Sequence, residues 1–363
     1  IAEETALPSW THRLSRRDPG CFIAASAFFI GLTLPQIAAA GDIADFYRGK
    51  RLTIVVGSGS GSGYDFGARV LAGYIGKHIP GNPTVVIEDM PGGGGRDVAN
   101  YIGNSAPRDG SVIAAVQSFI AVDPLFDSSK TKAQFDPRQF TWIGSIVSTS
   151  SVAVAWHSAP ARTLDDLFKN ELIVGGVGGG TPMVTFPYLF DRLLGMKFKV
   201  VAGYTTGPDV DLAMERGEVQ GRVDYSWHSL RLAHMDWIKD GKLNLLFQLG
   251  LRKDPELTNV PLLLDYAKTD EQRDILTAAF ISYDFGRAFV APPDLPPERT
   301  AALRKAFMDT MADKAFLDES DAKQLEVSPV PAERLESLVH EVYSLPAPLI
   351  ARTKALQDPT AGQ

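Results

Sequence analysis

Three glycine-rich stretches carry the residues best suited to chemistry. The first is Gly57-Ser58-Gly59-Ser60-Gly61-Ser62-Gly63, after the apolar run 51–56 (RLTIVV) and before a helical pattern. Pro91-Gly92-Gly93-Gly94-Gly95 and Gly178-Gly179-Gly180-Thr181-Pro182 repeat that setting. A glycine loop between a strand and a helix start exposes backbone N–H groups where the helix dipole favours negative charge. The chemistry this suits is anion capture. The better-known glycine motifs fail on spelling. A P-loop needs a lysine that none of the loops has. The dinucleotide fingerprint G-x-G-x-x-G fails in the first loop because Ser62, Tyr64 or Phe66 takes the place of the third glycine, and it fails in the other two as well. The nucleophile elbow G-x-S-x-G fails because Ser or Val stands two positions before each loop serine.

The remaining polar groups offer no catalytic set. The six histidines are His12, His78, His157, His228, His234 and His340, with no H-E-x-x-H pattern. His228 and His234 are too far out of phase to share a helix face. Asp165/Asp166 follow Thr163 at a helix start, where acids suit the dipole, and Asp123/Asp127 form a second carboxylate pair. No nucleophile, base and orienting group come together, so the chain reads as a binding protein that is not an enzyme and takes no metal and no cofactor. Cys21 is the sole cysteine, which excludes an intrachain disulfide and a cysteine-rich metal site. A net charge of −7 with no lysine or arginine stripe argues against nucleic acid and anionic membrane as partners. It also means that an anion must be held by local donors, since the global field repels it.

Those loops need elements to hold them. The 363 residues suggest two domains, because single cores seldom grow past about 250–300 residues. Arg13, Arg16 and Arg17, the apolar stretch 21–34 and Ala38-Ala39-Ala40 come in the order of an export signal. The expectation is a signal peptide over 1–40, cleaved near Ala40, with 1–12 as an upstream extension and a periplasmic destination. Beyond it, 51–56, 84–87 and 111–116 read as buried strands. Helices are expected over 64–79, with Asp65 as N-cap, and around 97–105. A second set follows, with strands at 152–156, 172–174, 200–201 and 243–249. Its helices are at 181–194 and 209–216, with further helices at 298–311 and 331–342. Strands alternating with helices predict an α/β protein of two lobes, each a mostly parallel sheet flanked by helices.

At this point the residues carry a resemblance. Lys50-Arg51-Leu52-Thr53-Ile54-Val55-Val56-Gly57, the loop ending Gly63-Tyr64-Asp65, and Ala68-Arg69 with Leu71 resemble the opening of the tripartite tricarboxylate transporter receptors, the Bug-type periplasmic solute-binding proteins. Glu88-Asp89-Met90-Pro91-Gly92-Gly93-Gly94 is similar to the family's N-x-P-G-A-G-G stretch, and Pro107-Arg108-Asp109-Gly110 to its turn before the third strand. Gly178-Gly179-Gly180-Thr181, Gly203-Tyr204 with 215–219, 254–261, Phe289-Val290-Ala291-Pro292 and Pro296-Pro297-Glu298-Arg299 follow in the family's order.

The resemblance implies a periplasmic-binding-protein (Venus-flytrap) fold. Lobe 1 would comprise 41–146 and 250–363, and lobe 2 147–249. It implies a monomer that captures a small organic acid between the lobes and delivers it to the membrane permease subunits of a tripartite tricarboxylate transporter. The expected contacts are Ser60, Gly61, Gly63, Tyr64 and Asp65 from the first loop. Pro91, Gly92, Gly93, Gly94 and Arg96 come from the second, and Gln117 and Ser118 from the end of the third strand. The other lobe would contribute Gly178, Gly179, Gly180, Thr181, Tyr204 and Asp224. Arg96 is a departure from the family's run into the helix, and its expected role is to supplement the backbone donors for a second carboxylate. A sensor module docking to a membrane kinase, or an exported enzyme on the same fold, are the alternative readings.

Overall fold

The computed structural model describes residues 43–126, 133–177 and 181–360. The expected signal peptide, and Gly178, Gly179 and Gly180, lie outside the described residues. The described chain folds as two α/β units around two separate sheets.

The first sheet runs in the order β11-β4-β10-β3-β1-β2. β1 (Arg51–Val56) pairs in parallel with β2 (Thr84–Asp89) and β3 (Val112–Val116). β10 (Ala288–Ala291) returns antiparallel between β3 and β4 (Thr141–Ser145), and β11 (Val330–Pro331) closes the edge. β3 is apolar throughout and β1 is apolar but for Arg51 and Thr53, because both faces of the sheet are covered. On one face Leu52, Ile54 and Ile113 pack with Leu71 and Ile75 of α1 (Gly63–His78) and with Leu303 and Phe307 of α7 (Pro297–Met311). On the other, Val55 and Ala114 meet Val98 and Ile102 of α2 (Arg96–Asn104) and Leu335 and Leu338 of α9 (Ala332–Ser344).

The second sheet has the order β7-β6-β8-β5-β9. β6 (Leu172–Gly176) runs parallel to β7 (Phe198–Ala202) and β8 (Gly221–Ser226). β5 (Ser151–Trp156) lies antiparallel between β8 and β9 (Leu243–Leu249). One face packs under α4 (Gly207–Glu215) and α5 (Trp227–Lys239), through Val210, Met214, Trp227 and Trp237. The opposite face packs on α3 (Pro182–Leu194).

Packing departs from the expected boundaries here. The whole of 250–363 is expected with the first lobe. Leu262, Leu263 and Leu264, and Ile275, Leu276 and Phe280 of α6 (Asp270–Phe280), are instead buried with Phe186, Phe190 and Phe247 of the second unit. α10 (Ala347–Gln357) lies against α3 and α6. The face of α3 that carries Phe186, Leu189 and Phe190 packs on the sheet through Phe247 and takes further cover from Phe280. α8 (Lys314–Ala322) stays with α1 and α7.

Two connections join the sheets, the link from β4 to β5 and the return from β9 to β10, which ends in the segment 281–287. The link and that segment are bonded together. Thr149 N–H donates to the Tyr283 carbonyl at 2.9 Å, and the Ser148 hydroxyl donates to Asp284 at 2.6 Å. Among the described residues, no helix is long and apolar enough to cross a membrane.

Candidate functional site

Parallel pairing decides where the loops go. Val56 lies opposite Asp89 of β2 and Ala115 of β3, so all three strands end at one edge. In open α/β sheets this carboxyl edge is where ligands sit. The 57–62 loop, the 90–95 loop and Gln117-Ser118 therefore come together. Gly57 is pinned between them: a Cβ there would stand 2.5 Å from Val98 Cγ1 of α2.

Side chains brace the first loop from within. Ser62, not Asp65 as expected, is the N-cap of α1, its hydroxyl accepting the Asp65 N–H at 3.2 Å. The Asp65 carboxylate turns back into the loop, accepts the Gly61 N–H at 2.7 Å and pairs with Arg69 at 2.7 Å. Burial alone would raise the Asp65 carboxyl, but the bonds from Arg69 and Gly61 outweigh it and hold the group below the usual range. Asp65 thus shapes the loop from beneath, while Ser60, Gly61 and Gly63 face solvent. Gly63 and Tyr64 open α1, so helical geometry gives their N–H groups no acceptor within the helix.

The second loop is wound more tightly. Gly93, Gly94 and Gly95 take φ of +54°, +69° and +97°, a left-handed run that strains any other residue. At Gly95 there is no room either, since a Cβ would stand 1.7 Å from the Gln117 amide oxygen. Gln117 is therefore part of the packing between loops, and its Nε2 donates to the Gly57 carbonyl at 3.2 Å. Arg96 faces away from the expected role. Its Nε and Nη2 donate to both oxygens of buried Asp123 at 2.7 and 2.6 Å, and its Nη1 donates to the Gly93 carbonyl at 3.1 Å. The guanidinium holds the loop and is neutralised by a carboxylate.

Ser118 and Tyr64 do meet. The Ser118 N–H donates to the Tyr64 phenol oxygen at 3.2 Å, with the two hydroxyls 3.5 Å apart. Beside them stands a residue absent from the expected set, Arg287. Ala288 pairs with Val116 in β10, which sets the preceding residue at the mouth of β3. The Arg287 Nε donates to the Gly63 carbonyl at 3.2 Å. Burial holds its guanidinium below the usual value, while Glu326 and Tyr64 act in the opposite sense. Only the sheet order reveals Arg287, because β10 returns to the site after the whole second unit has intervened.

The second unit presents its own carboxyl edge, at the ends of β6, β7 and β8. Thr181 is the N-cap position of α3 and Pro182 its first residue. Tyr204 N–H donates to the Gly176 carbonyl at 3.3 Å. Burial raises the Tyr204 phenol, and Glu218 adds to the effect. Asp224, at a φ of +59°, accepts a 2.5 Å hydrogen bond from the Tyr283 hydroxyl. Burial first, and then Asp224, push that phenol well above its ordinary value. Asp224 is thereby bonded to the segment that returns to the first unit. Asp65, Arg96, Gln117 and Asp224 are thus positioning groups in this geometry. Ser60, Gly61, Gly63, Tyr64, Gly93, Gly94 and Ser118 line the open edge.

A cavity of about 1070 Å³ opens elsewhere, against the links between the units. It is lined by Ser148, Trp227, His228, Arg231, Glu256 and Glu326 among others, and by none of the expected contacts. Among the described residues no group of three or more His, Cys, Asp or Glu could hold a metal ion.

A family model described as "Tripartite tricarboxylate transporter family receptor" matches residues 68–354. No curated protein matches the chain. A ligand-free TctC solute-binding protein from Polaromonas is similar at a TM-score of 0.65 and 17% identity, over 85% of this chain and 98% of that one. A Rhodopseudomonas palustris protein solved with adipate gives 0.54 and 18%, over 84% and 97%. MatC from the same organism, solved with bound malate, gives 0.50 and 20%, over 85% and 99%. At these identities the likeness bears on the fold, which is the two-lobed periplasmic-binding-protein architecture.

Proposed function

This chain belongs to the tripartite tricarboxylate transporter receptor family, and from that premise we propose that it captures a small organic carboxylate between its two lobes and delivers it to a tripartite membrane permease. The family is one of receptors, not enzymes, which agrees with a sequence lacking any nucleophile–base pair. Periplasmic residence after loss of residues 1–40, action as a monomer, and a division into lobe 1 (41–146 and 250–363) and lobe 2 (147–249) belong to the same proposal. In that division 262–280 and 347–357 cross over to pack on the second lobe.

One observation carries the reading. The open edge of the first sheet gathers the start of α1, the Gly93-Gly94 turn and the Tyr64–Ser118 pair at one point. N–H and O–H donors are what a carboxylate needs in a protein whose net charge repels it. The adipate and malate in two structures of the same fold favour acids of that size. Closing the second edge, with Thr181 and Tyr204, over such a ligand would remove it from water.

A thermal-shift screen of 41–363 against mono-, di- and tricarboxylates, aromatic acids and amino acids tests this. A ligand at 100 times its dissociation constant stabilises the fold by about 2.7 kcal/mol, a shift of a few degrees. A hit among the acids, with the acid recovered unchanged, is expected. Silence from every acid, or turnover of one, would overturn the reading.

A further inference from the structure

Arg287 crosses the first two turns of α1 in a way that accounts for two glycines. A Cβ at Gly67 would stand 2.9 Å from Arg287 Cδ, and one at Gly63 would stand 3.8 Å from Nη2. Glycine inside a helix costs about 0.5–1 kcal/mol relative to alanine. At Gly67 it allows the arginine stem to lie on the helix. The guanidinium then reaches the start of α1, tethered through Nε to the Gly63 carbonyl at 3.2 Å. Its backbone is fixed as well, with the Arg287 N–H donating to the Ser145 hydroxyl at 3.1 Å and its carbonyl accepting from Ile146 at 3.0 Å.

This is an unbalanced place for a cation. A helix start carries positive partial charge, which disfavours arginine. The group is also half-buried. Among the described residues no carboxylate lies within ion-pair distance of it, and Glu326 acts on it only from further away, beside His228 at 3.8 Å. Arg96, at the start of α2, shows the ordinary remedy, a bidentate acid. At α1 the groups beside the guanidinium are instead uncharged, the Gly63 carbonyl and the Tyr64 phenol, and the free N–H groups of the first turn lie at the same helix start. An anion between them would satisfy the helix dipole and the arginine together.

We propose that Arg287 is the charged anchor of the binding site, its Nη groups holding one carboxylate of the ligand against the N-terminus of α1, and that it selects acids over their uncharged amides. This rests on the carboxylate reading above and names the side chain that gives it specificity. Gly67 is its positioning partner, since the stem needs that bare surface.

The test is titration calorimetry of wild type, Arg287→Gln, Arg287→Lys and Gly67→Ala with malate, adipate and citrate, and with succinamide as the uncharged control. Melting of each ligand-free protein is followed alongside. Losing a hydrogen-bonded charge costs roughly tenfold to a hundredfold in affinity. Arg287→Gln is expected to lose that much for the acid that wild type binds, with little change in ligand-free melting. Arg287→Lys should recover part, since it keeps the charge without the fork. Gly67→Ala should weaken the acid by displacing the stem, and it keeps the test decisive if Arg287→Gln does not fold. A variant Arg287→Gln that binds the acid within about twofold of wild type would overturn the anchor and leave carboxylate binding intact. If wild type itself binds succinamide as well as any acid, or binds no acid, the carboxylate reading falls and the anchor with it.

Discussion

The starts of α1 and α2 make the same local statement, a glycine loop leading from a parallel strand into a helix with an arginine close by. They spend that arginine differently. At α2 the arginine comes from the helix itself and is closed on Asp123, so the charge serves the loop. At α1 it comes from the residue just before β10, far along the chain, and has no acid within ion-pair distance among the described residues. The lesson is that an arginine's availability is decided by its partner, not by its neighbours in sequence. A loop can be rigid because a salt bridge holds it, or receptive because a charge has been left for something else.

The comparison can be broken most forcefully at Asp123. Asp123→Ala leaves Arg96 without its carboxylate, and a loss of about 2–3 kcal/mol is expected in urea denaturation. A change below about 0.5 kcal/mol would mean that water replaces the acid without cost. Next comes the crossed pair of variants. Arg96→Ala should lower stability by about 1–2 kcal/mol and leave acid affinity within about threefold of wild type, whereas Arg287→Gln should do the reverse. Equal behaviour of the two in both assays would erase the distinction between the helix starts.

Smaller effects sharpen it. Asp65 has its carboxyl held below the usual range in the folded chain. Its contribution is therefore present above the unfolded value near pH 4 and is lost as pH falls through the folded value. Asp65→Asn should cost about 1 kcal/mol at neutral pH, and its denaturation curve should converge on that of wild type in acid. A gap that widens on acidification would reverse the sign and refute the assignment. Smallest of all, ligand-free Gly67→Ala should melt within a few degrees of wild type, because helix propensity gained offsets contact strain with the Arg287 stem.

Much of this fold was legible beforehand. β1 and β9 occupy the expected residues because each is a predominantly apolar stretch, as burial on both faces requires. The loop-to-helix junctions were legible too, since glycine and proline punctuate them. β4, β8 and the helices α5 and α6 went unassigned. α5 mixes Arg231, His234 and Asp236 with its buried tryptophans, so its periodicity is weak. The N-cap of α1 was misplaced because Ser62 and Asp65 are both good capping types, and only geometry shows the serine taking the N–H and the aspartate turning back into the loop. Arg287 was invisible for a different reason. Periodicity reports which face is buried, and it is silent on which strand lies beside which.

The second unit's core takes its last cover from α10, although the strands of its sheet are complete by Leu249. In terms of synthesis, the sheet is made early and cannot be sealed until residues 347–357 exist. Contacts so distant in sequence carry a high cost in chain entropy before they are rewarded. The second unit is therefore expected to stay loose while the chain is growing and to close in a late step.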